Sequence, residues 1–474
     1  MGHRRGESRQ QATLFPVLLD ELVLQDALVR VIDAWVAALD MTTLHFAKAQ
    51  PQVMGAPPYD PADLLRLYIW GYLGAVRSSR SLERECHRNI ECMWLLGRLA
   101  PDHKTIADFR RVNTQALVAV CAAFVQFARS HRLIAGSTVA VDGSKVRAVA
   151  SRKAVIGKRE LVARAQSKAQ QIEAYLRLLD VQDGQEAGPQ PSAEDVRRAL
   201  QRLEGQQTAI QADLQRFGQS RSLTVVQGES DAQAMRSLHG APGYNLHTAV
   251  EIQSHLIVAH QVTNDANDQR QLAPMAEAVG QKLPGPATVI ADAGYANGEH
   301  IAQLDAAGIT SYVAVKRAVN NQGGGGLYDR SAFAYDAASD SFTCPTGKTL
   351  VRKQLSRTDK MVIYAAASDD CASCPDKPHC TTAPQRYVTR HLHEEALEAN
   401  ARRLQEKPQM MALRRQTVEH PFDFIKHRSL GNARLLVRGI AGANAELSLA
   451  VLAYNLKRVF NMKGPVWMRQ ALQG

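Results

Sequence analysis

Cysteine is scarce, with seven in 474 residues, too few for a disulfide scaffold in a chain of this length. Four of the seven crowd between Cys344 and Cys380, which points to a metal before a disulfide. Long apolar runs are also missing. The stretch LSLAVLAYNL meets Lys457 and Arg458 at once, well short of the roughly 20 residues a membrane-spanning helix needs. The opening MGHRRGESRQQATLF carries basic residues but neither the apolar region nor the small-residue cleavage pattern of a secretory signal. Gly6 stands where a myristoylation signal has Ser or Thr. The expectation is a cytosolic protein with no membrane partner. Signatures of several enzyme classes are absent too. The GGGG run is not followed by Lys-Ser/Thr, HLHEE lacks the second His of a zinc protease, and no Ser-His-Asp nucleophile motif is present.

Acidic residues are in deficit. Fifty-seven Lys and Arg oppose 46 Asp and Glu, a net charge of +11, and such a surplus favours polyanionic partners through counterion release. It is unevenly placed, because the last 74 residues hold 13 Lys/Arg against 4 Asp/Glu. What is present in ordinary measure is core material. Hydrophobic residues make up 45% and charged residues 22%, typical of a globular chain, and the length suggests two to four folded units or one enzyme core with large insertions.

Helical periodicity dominates from about Phe15 to Ser130. Thr105 followed by Asp108 reads as a capping box opening one of these helices. Arg77, Arg80, Arg84, His87, Arg88, Arg110 and Arg111 lie on the short helices of this region, as a solvated basic face or as a helix-turn-helix-like DNA reader. We therefore expect an all-α N-terminal DNA-binding domain over residues 1–132.

A strand then runs through STVAVDGSKV into Asp142. Two long helical stretches follow between about Val155 and Gly218, separated by the break DGQEAGPQPS; they read as an inserted helical hairpin over 155–218. From Gly243 a hairpin, a helix, the strand PATVIADAGY, a helix and the strand ITSYVAVK follow in turn, an α/β pattern with a mixed sheet. The block NNQGGGG reads as a linker into a cysteine-containing insertion over 317–400, and helix returns to the end. A second domain spans 133–463 in this reading, with 464–474 a tail.

Asp142 and Asp292 each stand where a strand pattern ends. A carboxylate there must be desolvated, neutralised or paired, and the carboxyl ends of strands in open α/β sheets are where sites form. Either alone is as easily a turn residue; two on strands that can be neighbours favour a cation site. Helical spacing puts Arg415, Glu419, Phe422 and Lys426 on one face, as an ion-pair ladder or as the edge of a phosphate-binding site, with Pro421 as a kink.

The combination of VAVDGSKV, VIADAGY and VEHPFDFIK resembles the DDE transposases of bacterial insertion sequences. Arg415, Glu419 and Lys426 fall in register with that group's Tyr-x2-Arg-x3-Glu-x6-Lys signature; Ala412 occupies its Tyr place, and Asp423 stands where relatives often carry Gly. GYLGAVRSSRSLERECHRNIECMWLLG, PDHKTIADFRR, SDAQAMRSLHGAPGYNLHTAVE, HLIVAHQVTNDANDQRQL and ELSLAVLAYNLKR resemble further parts of the same proteins. The resemblance implies an RNase H-like mixed-sheet core and a catalytic triad of Asp142, Asp292 and Glu419 holding two Mg²⁺ (or Mn²⁺) ions roughly 4 Å apart. Arg415 and Lys426 would contact DNA phosphates, with Arg77, Arg80, Arg84, Arg110 and Arg111 as DNA-binding residues of the helical domain. The implied activity is binding of the element's inverted repeats, strand cleavage and transfer of 3′ ends to target DNA. It would be carried out by a dimer or larger assembly at the bacterial nucleoid. A nuclease without strand transfer and an inactive DNA-binding descendant are the alternatives. Cys344, Cys371, Cys374 and Cys380 fit tetrahedral Zn²⁺ by type or free thiols in a β-rich insertion, with His379, His391 and His393 as substitute ligands. Cys86, Cys92 and Cys121 read as small core residues.

Overall fold

The structure is a computed structural model that describes residues 18–50, 57–182, 193–219, 224–280, 282–283, 287–315, 326–358 and 360–473. The basic opening segment, the DGQEAGPQPS break and nearly all of the NNQGGGG linker lie outside the described residues.

Six helices come first: α1 (Leu28–Ala37), α2 (Pro61–Leu73), α3 (Ser79–Arg88), α4 (Ile90–Leu95), α5 (His103–Val112) and α6 (Thr114–Ser130). Their ends are set by local chemistry. Asp60 caps α2 by accepting from the Ala62 amide, with Pro61 in the first turn, where its missing N–H costs nothing. For α5 the cap is Asp102, which accepts from the Lys104 and Thr105 amides. This corrects the expected capping box: Thr105 lies inside the first turn and gives its hydroxyl proton to Asp102.

The central sheet is mixed. Its strands are β1 (Thr138–Arg147), then, after a two-stranded ladder of β2 (Val155–Gly157) with β3 (Thr224–Val226), β4 (Gln233–Met235), β5 (Ala241–Glu251), β6 (Ile257–Thr263), β7 (Thr288–Ala291) and β8 (Thr310–Val313). The order is β4-β5-β1-β7-β8, with β6 also on β5. β5 runs antiparallel to β1 and β6, while β7 and β8 run parallel to β1. Near-continuous apolar runs such as TVIA suit strands covered on both faces. The covering helices include α9 (Leu272–Gly280) and α10 (Gly298–Ala306).

Two insertions leave this core. Between β2 and β3, α7 (Lys158–Gln182) and α8 (Ala193–Gln219) pack on each other as the expected helical hairpin, anchored by a small apolar cluster of Ile156, Leu161 and Ile210. After β8 comes an antiparallel sheet of β9 (Ala334–Asp336), β10 (Ser341–Thr343), β11 (Thr349–Ser356), β12 (Met361–Ala366) and β13 (Tyr387–His391), with α11 (Ser368–Ala372) and α12 (Lys377–Cys380) between the last two strands. It has its own core around Phe342, Tyr364 and Leu350.

Three helices close the chain: α13 (Glu394–Glu406), α14 (Gln409–Asp423), continued by a π-helical turn over Phe424–Ser429, and α15 (Ile440–Gln473). α15 breaks at Gly464, whose φ of 78° is followed by Pro465. The segment beyond is not a loose tail. It is helical, buries Met468 and sets Trp467 edge-on against His131, with ring centroids 5.8 Å apart. Nor are the N-terminal helices a separate domain. α15 packs against α1, α2 and α6 as well as β5 and β6, and a single apolar cluster runs from Val29 through Val139 to Val459. Among the described residues no single helix is long and apolar enough to cross a membrane; the bent pair α5 and α6 passes that test together, but its apolar face lies in this shared core.

Candidate active site

Sheet register places the two aspartates. β1 pairs in parallel with β7 as Thr138 to Thr288, Val139 to Val289 and Ala140 to Ile290, so the same offset carried two residues on sets Asp142 beside Asp292. Contrary to expectation, Asp142 is not at a strand end, because β1 continues to Arg147 and pairs Asp142 with Thr248 on β5. It is β7 that stops, and Asp292 caps the following turn by accepting from the Gly294 amide.

α14 lies across β1, β7 and β5 and lowers Arg414 onto the pair. Its Nη2 is 2.6 Å from Asp142 Oδ1 and 3.3 Å from Asp292 Oδ2, and the arginine side chain is only 13% exposed. One guanidinium nitrogen thus bridges both carboxylates, while the buried Nε has no hydrogen-bond partner. Burial pushes the Asp142 carboxyl up to about 6 despite the opposing pull of Arg414, and the charges of Asp292 and Asp268 add to the rise.

A second carboxylate cluster supports the first. Asp268 accepts from Lys145 Nζ at 2.7 Å and Asn245 Nδ2 at 2.6 Å; burial pushes its carboxyl up, and these two bonds more than offset that to hold it below the usual range. The Tyr295 hydroxyl is 2.7 Å from His247 Nδ1, and burial lowers the imidazole to about 4. Gly143 sits among these groups. A Cβ there would come within 2.9 Å of Asp268 Oδ1 and 3.0 Å of both His247 Nδ1 and the Tyr295 hydroxyl, so only glycine lets the strand pass.

The remaining residues of the expected signature fall elsewhere. Arg415 and Glu419 are exposed, and Glu419 lies about 140° around the helix from Arg414. Lys426 rides on the π-helical turn after Pro421, half-buried within reach of Asp142 and Lys145; burial lowers its ammonium, with Asp142 opposing. Among the described residues no three His, Cys, Asp or Glu side chains are set, as they stand, to hold one ion. The groups that sequence reasoning missed are Arg414, Asp268, Lys145, His247 and Tyr295. Asp268 had a faint signal in the Asn/Asp run of TNDANDQ, and Arg414 had none beyond adjacency to Arg415.

Two regions of the chain match known families. Residues 17–112 match a transposase domain (DUF772), and residues 220–456, half the chain, match the transposase DDE domain. The chain belongs to the DDE transposases. No curated protein matches its sequence. Among solved structures, the cryo-EM structure of a piggyBac transposase synaptic complex with hairpin DNA aligns at 9% identity. That alignment covers 99% of this chain and 81% of that one with a TM-score of 0.31, too low to bear on fold or function.

Within the transposase's N-terminal helices the basic residues divide into two sets. Arg77 and Arg110 do not form part of a solvated face, contrary to expectation. Arg77 Nη1 meets Glu446 Oε1 at 2.7 Å, with side chains 10% and 0% exposed, and Arg77 also donates to the carbonyls of Leu430 and Arg434. Arg110 is buried beneath α2, donates to the Tyr72 hydroxyl at 3.2 Å and sits over the Tyr68 ring. Both tie helices together. Arg80, Arg84 and Arg111 are exposed, Arg111 alongside Asp108 at 2.9 Å. Part of the C-terminal basic surplus is likewise engaged within the fold: half-buried Arg403 donates to the Ser311 carbonyl and half-buried Arg458 to that of Ser254, while Arg434, itself exposed, donates to that of Val149.

In the transposase's cysteine-containing insertion, Cys344, Cys371, Cys374 and Cys380 line one small pocket. The substitute ligands stand apart from it. His391 packs against Gly298 and near His393, and His379 does not line the pocket. Cys86, Cys92 and Cys121 are buried core residues, as expected.

Proposed function

We propose that the chain is an insertion-sequence transposase that binds the terminal inverted repeats of its own element. On this reading it cleaves DNA with Mg²⁺ or Mn²⁺ and joins 3′ ends to target DNA. The observation that carries this reading is the register-matched pair Asp142 and Asp292 sharing one cationic partner. Strand order and direction, three antiparallel strands with two parallel ones beyond β1, support the RNase H-like core expected from the sequence.

The donor set fits a divalent ion. Carboxylate oxygen is what Mg²⁺ prefers, and the two groups already converge on one positive charge. Bound metal would supply an activated water or 3′-hydroxyl and a stabilised leaving oxygen. Asp142 would hold it from within β1 and Asp292 from the cap of the turn that follows β7. Glu419 is the third carboxylate that the Arg415-Glu419-Lys426 signature supplies, and Asp268 is its competitor by proximity. Arg414 neutralises the two aspartates as they stand, and a metal held by them in its place would leave its guanidinium free for an incoming phosphate. Lys426 supplies a second positive charge beside Asp142. His247, neutral above its lowered pKa, and Tyr295 keep the floor of the site fixed. Exposed Arg80, Arg84 and Arg111, with Arg415, supply phosphate contacts. Joining two ends calls for a dimer or larger complex.

The experiment is end joining. Purified protein, Mg²⁺, a pre-cut DNA carrying the element's own end and a plasmid target should give end-to-target product. Cleavage without joined product identifies a nuclease, and binding with neither product identifies an inactive DNA-binding protein.

A further inference from the structure

Beyond the DNA-cleaving centre, the insertion after β8 holds a second chemically distinct group of side chains. Cys344 closes β10, Cys371 and Cys374 flank the end of α11, and Cys380 ends α12. Three separate segments thus bring four thiols to one pocket, and all four are free. Around Cys344 the backbone is folded to receive a thiolate. The Cys344 amide donates to the Lys348 carbonyl at 2.9 Å, the Gly347 amide returns to the Cys344 carbonyl at 2.9 Å, and the Lys348 amide donates to Cys344 Sγ at 3.2 Å. Gly347 makes the turn with a φ of 81°, which a side chain would resist. An amide aimed at sulfur is worth most when that sulfur is charged.

One hydroxyl stands among the thiols. Thr346 Oγ1 lies 3.1 Å from Cys344 Sγ and 3.8 Å from Cys374 Sγ. Positive charge stands close by. The buried Arg386 guanidinium donates to the Cys380 carbonyl at 2.7 Å and to the Tyr328 carbonyl at 2.9 Å, and Lys348 pairs with Asp370 at 3.1 Å. Cys344, Cys371 and Cys380 border the small apolar core of this sheet, and four thiols lining one pocket with cations beside them suit a dianionic centre, since four thiolates on a divalent ion carry two net negative charges.

We propose that Cys344, Cys371, Cys374 and Cys380 form a structural Zn²⁺ site that staples α11 and α12 to the β9–β13 sheet. Zinc takes four thiolates tetrahedrally at about 2.3 Å with no open position, so the site is closed and takes no part in strand cleavage. Binding releases the four thiol protons to solvent and changes no oxidation state. The four side chains line one pocket without meeting at a point as they stand, so metal binding would draw the sulfurs together by side-chain rotation. The sheet's core is a handful of residues around Phe342 and Tyr364, the small size at which a metal clip contributes most.

The test uses the full-length chain purified without chelator. Elemental analysis should find one zinc per chain, released by a mercurial reagent that titrates thiols. Cobalt supplied in its place should give thiolate-to-metal charge transfer and the intense visible bands of a tetrahedral sulfur site. Cys371→Ser with Cys374→Ser should abolish both, while Asp142→Ala leaves both unchanged, which separates this site from the DNA-cleaving centre. The cobalt spectrum of the wild type decides the matter even where the double variant fails to fold. Folded wild type without zinc and without the cobalt–thiolate spectrum overturns the proposal. So does a spectrum that survives the two serines, or one lost with Asp142→Ala.

Discussion

Arg77→Ala separates a structural strut from a DNA contact. Arg77 joins the N-terminal helices to α15 through Glu446, which is fully buried and whose Oε2 also accepts from the Leu436 amide at 2.8 Å and the Val437 amide at 3.2 Å. Truncating Arg77 leaves that carboxylate with one oxygen unpaired and without its ion-pair partner. Breaking a buried pair in this way costs about 3–5 kcal/mol. Glu446→Gln keeps one acceptor oxygen and puts an amide NH2 in place of the other, so either Arg77 or the Leu436 and Val437 amides lose their acceptor, a further cost of about 1–3 kcal/mol. The assay is urea unfolding followed by tryptophan fluorescence. All four tryptophans, Trp35, Trp70, Trp94 and Trp467, lie in the N-terminal helices or at the end of α15, so the signal reports the module that Arg77 braces. A lower midpoint at unchanged slope is the expected result. A loss below about 1 kcal/mol, too small for a broken buried pair, refutes the reasoning. DNA binding lost at undiminished stability returns Arg77 to the DNA-binding residues.

Other consequences follow from the site. Burial raises Asp142 to about 6, above its unfolded value, so the native state binds the extra proton and metal-free stability should fall as pH rises from about 4 through 6. The upper limit is about 3 kcal/mol, and Asp142→Asn should flatten the profile in parallel denaturation series; an unchanged slope counts against the shift. Gly143→Ala forces a methyl against Asp268, His247 and Tyr295 and should cost about 1–3 kcal/mol together with cleavage activity; a stable, active variant shows that the floor is not rigid. Arg414→Ala leaves adjacent carboxylates without their cation, so its melting temperature without metal should drop and its gain on adding Mg²⁺ should exceed that of the wild type. Equal gains would mean that Arg414 does not compete with metal.

Much of the architecture is written in local patterns. Apolar alternation and runs locate β1, β5, β6, β7 and β8, helical periodicity and a Gly/Pro break delimit α7 and α8, and Asp142 and Asp292 stand out as carboxylates in apolar strands. What local patterns omit is pairing across the chain. The burial of Arg77 depends on Glu446, 369 positions away, and no periodicity announces such a partner. Arg414 and Arg415 are neighbours in sequence and differ only in helical phase, which α14's packing on the sheet decides; a strict i, i+4 count from Glu419 selects the exposed one. Downstream the π-helical turn resets the phase again and brings Lys426 inward. Asp268 belongs to a loop, where no repeat marks it, and it reaches the site because Lys145 and Asn245 are cross-strand partners. The N-terminal helices read as a separate domain because the helix that completes their core, α15, comes last in the chain.

The most direct test of the central claim is Mg²⁺-dependent cleavage of DNA bearing the element's ends by wild type, Asp142→Ala, Asp292→Ala and Glu419→Ala, with DNA binding measured in parallel. The account predicts that all three variants bind and none cleaves. Cleavage by Asp142→Ala or Asp292→Ala contradicts it outright, and cleavage by Glu419→Ala with loss in Asp268→Ala would move the third carboxylate to Asp268.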